Sequence, residues 1–119
     1  MATHNELGKE GERRAIGFLR ENGYEILETN WRYGKAEIDI IARKDSALIV
    51  VEVKTRSAIA FGLPQDFVNP KKIKLLVNAI DHYCRTIDFN GEVRFDIIAI
   101  VSERNQWELD HIADAFYYF

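Results

Sequence analysis

Apolar residues recur along the 119-residue chain with two different spacings, and the switches between them outline its elements. Over residues 6–22, Ala15, Ile16, Phe18 and Leu19 fall at helical intervals, with Asn5 placed to cap the start and Asn22-Gly23 to stop it. Tyr24 to about Trp31 reads as a strand, followed by a turn through Tyr33-Gly34-Lys35. Residues 36–56 hold two Ile- and Val-rich runs around Arg43-Lys44-Asp45-Ser46, the pattern of a hairpin. Residues 57–67, with Gly62 and Pro64, keep no period and read as a loop. Asn69-Pro70 then opens a second helix, whose stripe is Ile73, Leu76, Val77, Ile80, Tyr83, Cys84 and Ile87. Val93 to Val101 is apolar on both sides apart from Arg94 and Asp96, as an interior strand should be. Trp107 to Leu109 adds a short edge strand, and the chain ends in Phe116-Tyr117-Tyr118-Phe119.

The order is therefore α-β-β-β-α-β with a final short strand. A helix joining the third strand to the fourth is a crossover and implies a parallel pair. The expected class is α/β, or more closely α+β, with a mixed central sheet flanked by helices. No repeat, linker or low-complexity tract divides residues 1–119, so one domain is expected.

Composition narrows the field. An apolar fraction of 47% suits a globular domain. One cysteine, Cys84, excludes an internal disulfide, and no apolar run has the length of a signal core or a membrane span. A cytoplasmic protein with no membrane partner is expected. The net charge of −3 hides an asymmetry, because residues 31–74 carry nine Lys or Arg against five Asp or Glu. That local excess suits a polyanionic partner.

The candidate chemistry lies in that basic segment. Residues two apart on a strand share a face, so Glu37 and Asp39 should lie opposite Ile38 and Ile40, and Glu52 and Lys54 opposite Val51 and Val53. An in-register hairpin brings Asp39, Glu52 and Lys54 to one patch. Ionisable groups on apolar strands are costly to bury without partners, which marks the patch as a site. Two carboxylates supply hard oxygen ligands for Mg²⁺ or Mn²⁺, and the Val53 carbonyl is placed to add a third. Such a cation acidifies water and offsets charge on a phosphate, the requirements of phosphodiester hydrolysis. Lys54 would hold the water or neutralise developing charge. On the first helix Glu12 falls within the apolar stripe, a candidate for the cation's water shell or a second ion.

These residues sit in an ordered set of motifs: G-E-R-R-A at 11–15, N-W-R at 30–32, A-E-I-D-I-I-A at 36–42 and V-E-V-K-T-R at 51–56. F-G-L-P at 61–64, N-P-K-K-I at 69–73 and R-F-D-I-I-A-I at 94–100 continue it. The set resembles the PD-(D/E)XK nuclease superfamily, most closely its small YraN-like family of predicted endonucleases. The resemblance covers nearly the whole chain. It implies a restriction-endonuclease-like core with Glu12, Asp39, Glu52 and Lys54 as the site. Ala36 stands where the family usually has Gly, and Ile38 where the superfamily has Pro. Similarity to archaeal Holliday-junction resolvases adds, by analogy, branched or structured DNA as the substrate.

Other charged residues have plainer readings beside functional ones. Arg56 continues the Glu52 and Lys54 face and is placed to grip a phosphate, and Lys72, Arg32 and Lys35 are further candidates for nucleic-acid contact, as are Lys71 and Lys74. Glu37 reads better as a cross-strand ion-pair partner than as a ligand. Asp96 is expected to pair with Arg94 or a backbone donor, whereas His4 and His111 have no partner pattern. His82 and Cys84, two apart on a helix, do not face each other, which argues against zinc or thiol chemistry. No Gly-rich phosphate loop or Ser-His-Asp set is present. The expectation is a metal-dependent DNA endonuclease, with a non-catalytic nucleic-acid-binding module of the same fold as the alternative. One site per chain and an aromatic tail also suit a homodimer.

Overall fold

The computed structural model describes residues 4–57 and 69–115. The segment expected as a loop and the aromatic tail thus fall outside the described residues, except Ser57. Helix α1 (His4–Glu21) is followed by strands β1 (Glu25–Tyr33), β2 (Ala36–Lys44) and β3 (Ala47–Ser57). Helix α2 (Pro70–Thr86) and strands β4 (Glu92–Glu103) and β5 (Gln106–Ile112) complete the order. The sheet runs β1-β2-β3-β4-β5, with β3 and β4 parallel and every other neighbouring pair antiparallel. The mixed sheet and the crossover expected from the chain order are both present. No helix among the described residues is long and apolar enough to cross a membrane.

Local chemistry accounts for the helix ends. Gly23 adopts φ +87°, where a side chain would be strained, and lets Gly23 N–H reach the Arg20 carbonyl and Tyr24 N–H the Leu19 carbonyl. These two bonds end α1 and turn the chain into β1. The helix begins one residue before Asn5, so Asn5 lies in the first turn and is not the cap. Asn69 does cap α2: its side chain accepts the Lys72 N–H at 2.8 Å, with Pro70 in the first turn.

The helices cover opposite faces of the sheet. Under α1, Ala15 and Leu19 pack with Ile40, Ile49, Val51, Ile98 and Ile100. Under α2, Leu76, Ala79, Ile80 and Tyr83 pack with Ile38, Ile41, Leu48, Val50 and Phe95. Full burial of each such side chain contributes about 1.5–3 kcal/mol, so the two clusters supply the main force holding the layers together. Ile87, expected in the α2 stripe, is 43% exposed because the helix ends at Thr86, and Ala79 takes a buried place instead. Asp96, fully buried, accepts from both Arg94 nitrogens, from His111 Nε2 at 2.7 Å and from Asp114 N–H. The absence of a partner for His111 is thereby corrected: Ile98 pairs with His111 across β4 and β5, which brings the imidazole within reach of Asp96.

One expectation about the hairpin fails informatively. Ile38 belongs to the α2 cluster and Ile40 to the α1 cluster, although residues two apart on a regular strand share a face. The β1–β2 register is unchanged from Thr29↔Ile40 to Trp31↔Ile38, its shift lying instead between Ile26 and Glu28, but the intervening Asn30 and Asp39 are not paired and Asn30 has a left-handed φ of 50°. The paired register of β2 with β3 runs only from Lys44↔Ala47 to Ile40↔Val51. The change of face between Ile38 and Ile40 thus comes from a local backbone irregularity without a change of register, and it re-aims the side chain where it occurs. That side chain is Asp39.

The approach of α1 to β3 yields a paired prediction. A Cβ on Gly11 would stand 2.8 Å from Thr55 Cγ2 and 2.9 Å from Thr55 Cβ, whereas one on Gly17 meets nothing within 4 Å. Gly11→Ala should lower the melting temperature, with overpacking of about 1–3 kcal/mol outweighing the ~1 kcal/mol gain in helix propensity. Gly17→Ala should raise it by that propensity gain alone. Thermal unfolding of the two variants checks the opposite signs.

Candidate active site

The expected residues come together where β2 parts from β3. Asp39 Oδ2 accepts the Val53 N–H at 2.8 Å, so a carboxylate stands where a strand carbonyl would otherwise serve. Glu52 on β3 is 2% exposed and faces α2, whose Lys72 Nζ lies 3.1 Å from Glu52 Oε2. The other oxygen, Glu52 Oε1, is buried and has no hydrogen-bond partner among the described residues. Lys54, one step along the same face, is half-buried and lines a cleft with Lys72.

Two clefts meet at these residues. One of about 700 Å³ is lined by Glu12, Asn30, Asp39, Val53, Lys54 and Arg56 among others, and one of about 440 Å³ by Lys35, Asp39, Glu52, Val53, Lys54 and Lys72. Asp39, Val53 and Lys54 line both, which places the β2–β3 junction between them. Glu12 reaches the larger cleft from α1 and accepts a 2.7 Å hydrogen bond from Asn30 Nδ2. The structure thus brings Glu12, Asp39, Glu52 and Lys54 to one region from three elements.

The electrostatics reflect a site short of positive charge. Burial, then the neighbouring Asp39, pushes the Glu52 carboxyl up to about 7. Burial also raises Asp39, against the pull of the Val53 N–H, Lys72 and Lys54. Glu12 is raised first by burial, with the Asn30 bond opposing and Asp39 adding to the shift. Lys54 is lowered, by burial first and the adjacent Lys72 ammonium second, so these outweigh the two carboxylates that favour its charged form. Lys72 is raised despite its burial, because Glu52 holds the ammonium.

The donor set suits a small hard cation. Among the described residues no three His, Cys, Asp or Glu side chains gather into a ready-made cage. Two carboxylates with backbone oxygen and open positions are instead the kind of site Mg²⁺ and Mn²⁺ accept. The unpartnered Glu52 Oε1 beside Asp39 is the observation that fits, since a buried carboxylate oxygen is otherwise left costly. The N–H and C=O of a strand residue point to the same side, so the Val53 carbonyl opens toward Asp39 as its N–H does.

The outer charges are placed less simply. Lys72, expected against a phosphate, is ion-paired with Glu52. Arg32 pairs with Glu37 at 3.1 Å, which matches the cross-strand reading of Glu37. Lys35 is exposed beside the smaller cleft, and Arg56 lines the larger one while donating from Nη1 to the Thr55 carbonyl. Lys71 and Lys74 are exposed on α2. Asn30 was not singled out by sequence reasoning. Its signal lies in the N-W-R motif, where Asn is the side chain best able to tolerate a left-handed backbone and still hydrogen-bond.

A sequence profile described as "Uncharacterised protein family UPF0102" matches residues 11–100. A UPF0102 protein of Flavobacterium psychrophilum is 57% identical over 119 residues, covering all of both chains. Another from Bacteroides thetaiotaomicron is 48% identical over 117 residues, covering 98% of this chain and 97% of its own.

The raised Glu52 carboxyl sets a pH dependence. The folded state holds this proton between the ordinary value of 4.5 and about 7, while the unfolded chain has released it. The folded form binds more protons in that window, so stability falls as pH rises through it and levels off above. Glu52→Gln should therefore flatten the decline in melting temperature across this range and stabilise the metal-free protein at pH above the window. Melts of both proteins across the range, with chelator present, test this.

Proposed function

We propose that this chain, which belongs to the UPF0102 family, is a divalent-metal-dependent nuclease that hydrolyses phosphodiester bonds in DNA. The observation that carries the reading is the buried Glu52 with its unpartnered Oε1, set beside Asp39 and Lys54 on apolar strands. A structural ion pair alone needs one carboxylate and one cation. A second, half-buried carboxylate in Asp39 and an open cleft are the additions that hydrolysis requires.

Asp39, Glu52 and the Val53 carbonyl would hold Mg²⁺ or Mn²⁺, with Glu12 reaching its water shell or a second ion. The bound ion supplies Lewis acidity toward a phosphate oxygen and lowers the pKa of water. Lys54 Nζ, lining both clefts, holds the attacking water by hydrogen bonding, and its lowered pKa favours acceptance of a proton there. Asn30 fixes the Glu12 carboxylate, while Arg56 and Lys35 border the clefts a phosphate would enter. In this reading the fold is of the PD-(D/E)XK type, supported by the resemblance of the motif set, with branched or structured DNA as the preferred substrate.

One observation favours the alternative of a nucleic-acid-binding module without turnover. Lys72 already neutralises Glu52, so a cation is available without any metal. The two readings separate in one experiment. Purified protein with Mn²⁺ should cut duplex, single-stranded or four-way-junction DNA, and Lys54→Ala should slow cutting by about 10²–10⁴-fold. Binding without cleavage on every substrate would select the module instead. Mn²⁺ should also raise the melting temperature, by about 2.7 kcal/mol of stability at a hundredfold excess over Kd, and Asp39→Asn should abolish that rise.

A further inference from the structure

On the outer side of α1 lies a feature that the candidate site does not use. Lys9, Arg13 and Arg20 are spaced four and seven apart, so they fall on one narrow stripe of the helix. The stripe borders a groove of about 460 Å³ between α1 and β1, whose far wall includes Thr29 and Asn30. Lys9, Glu12 and Asn30 line both this groove and the larger cleft of the candidate site, so the two are continuous. At a rise of about 1.5 Å per residue the stripe extends roughly 16 Å, starting at the cleft with Lys9 and leading away to Arg20.

We propose that this groove holds the sugar-phosphate backbone of the nucleic-acid strand as it leaves the candidate site. The inference rests on the nuclease reading and deepens it by naming the path of the substrate. Three cations against the single carboxylate of Glu12 give the groove the charge that a polyanion requires. Glu12 itself is engaged by Asn30. The Arg13 side chain is 78% exposed and paired with Glu10 on the same helix, a screened contact that a phosphate can replace. Lys9 and Arg20 are likewise exposed. The contacts are to backbone and carry no sequence information, so binding here is indifferent to base sequence.

The test is equilibrium binding of the metal-free protein to fluorescein-labelled single-stranded and duplex DNA, followed by anisotropy between about 50 and 200 mM salt. The triple variant Lys9→Ala, Arg13→Ala, Arg20→Ala should bind at least about tenfold more weakly at the low-salt end. Its plot of log K against log salt should be shallower by about 2 for single strands or nearly 3 for duplex, since each lost phosphate contact removes about 0.7 or 0.9. The substrate whose slope changes by its full amount is the one that follows the groove. Arg85→Ala with Arg104→Ala, which removes charge elsewhere, should leave the slope near that of the parent. An unchanged slope and affinity in the triple variant, an equal loss in the control, or no DNA binding by the parent would each overturn the proposal. Cleavage by the parent with an unchanged slope in the triple variant refutes the groove and leaves the nuclease reading standing. Stripe-dependent binding without cleavage in Mn²⁺ does the reverse.

Discussion

The arrangement depends on the cost of holding two carboxylates, the buried Glu52 and the half-buried Asp39, close together on apolar strands. Burial raises the affinity of both for a proton, and Asp39 raises that of Glu52 further. Around them the protein places the groups that reduce this cost: the Val53 N–H on Asp39 and the Lys72 ammonium on Glu52. Glu52 Oε1 is left over. A carboxylate pair that the described residues compensate incompletely is where an added cation has most to gain.

Asp39 is available because the strand that carries it is irregular. A regular β2 would have continued its ladder with β3 and kept Ile38 and Ile40 on one face. The unpaired stretch opposite the left-handed Asn30 turns the carboxylate toward β3, at the junction that both clefts share. The same Asn30 then donates to Glu12, so one unusual backbone conformation links the strand irregularity to the helix that supplies the third acid. The two helices contribute opposite charges from opposite faces, Glu12 from α1 and Lys72 from α2. Apolar packing of each helix on its cluster therefore also sets the electrostatics of the site.

Two buried acids on the neighbouring strands β3 and β4, Glu52 and Asp96, are held by different means on opposite faces of the sheet. Near the start of β4, Asp96 is fully satisfied by Arg94, His111 and the Asp114 N–H, and its carboxylate serves to tie β5 and the chain beyond it to the sheet. Both are buried acids between apolar neighbours, Phe95 and Ile97 for Asp96 and Val51 and Val53 for Glu52, and they differ in whether the described residues complete their hydrogen bonds. That difference separates a structural ion cluster from a candidate reaction site.

Much of this follows from residue order alone. Helical spacing, the Asn69-Pro70 and Asn22-Gly23 signals and the helix between the last Ile-rich strands suffice for the elements, the mixed sheet and the parallel pair, because these are local rules of period and connection. The strand period likewise places Glu52 with Lys54 and sets Val51 and Val53 against the opposite face. Three-dimensional packing decided the rest. The contact of Asp39 with the Val53 N–H, the turn of Asn30 toward Glu12, the His111 contact with Asp96 and the pairing of Lys72 with Glu52 join residues from separate elements. No one-dimensional period encodes them, since each depends on how far a strand bends and which helix face lies above it.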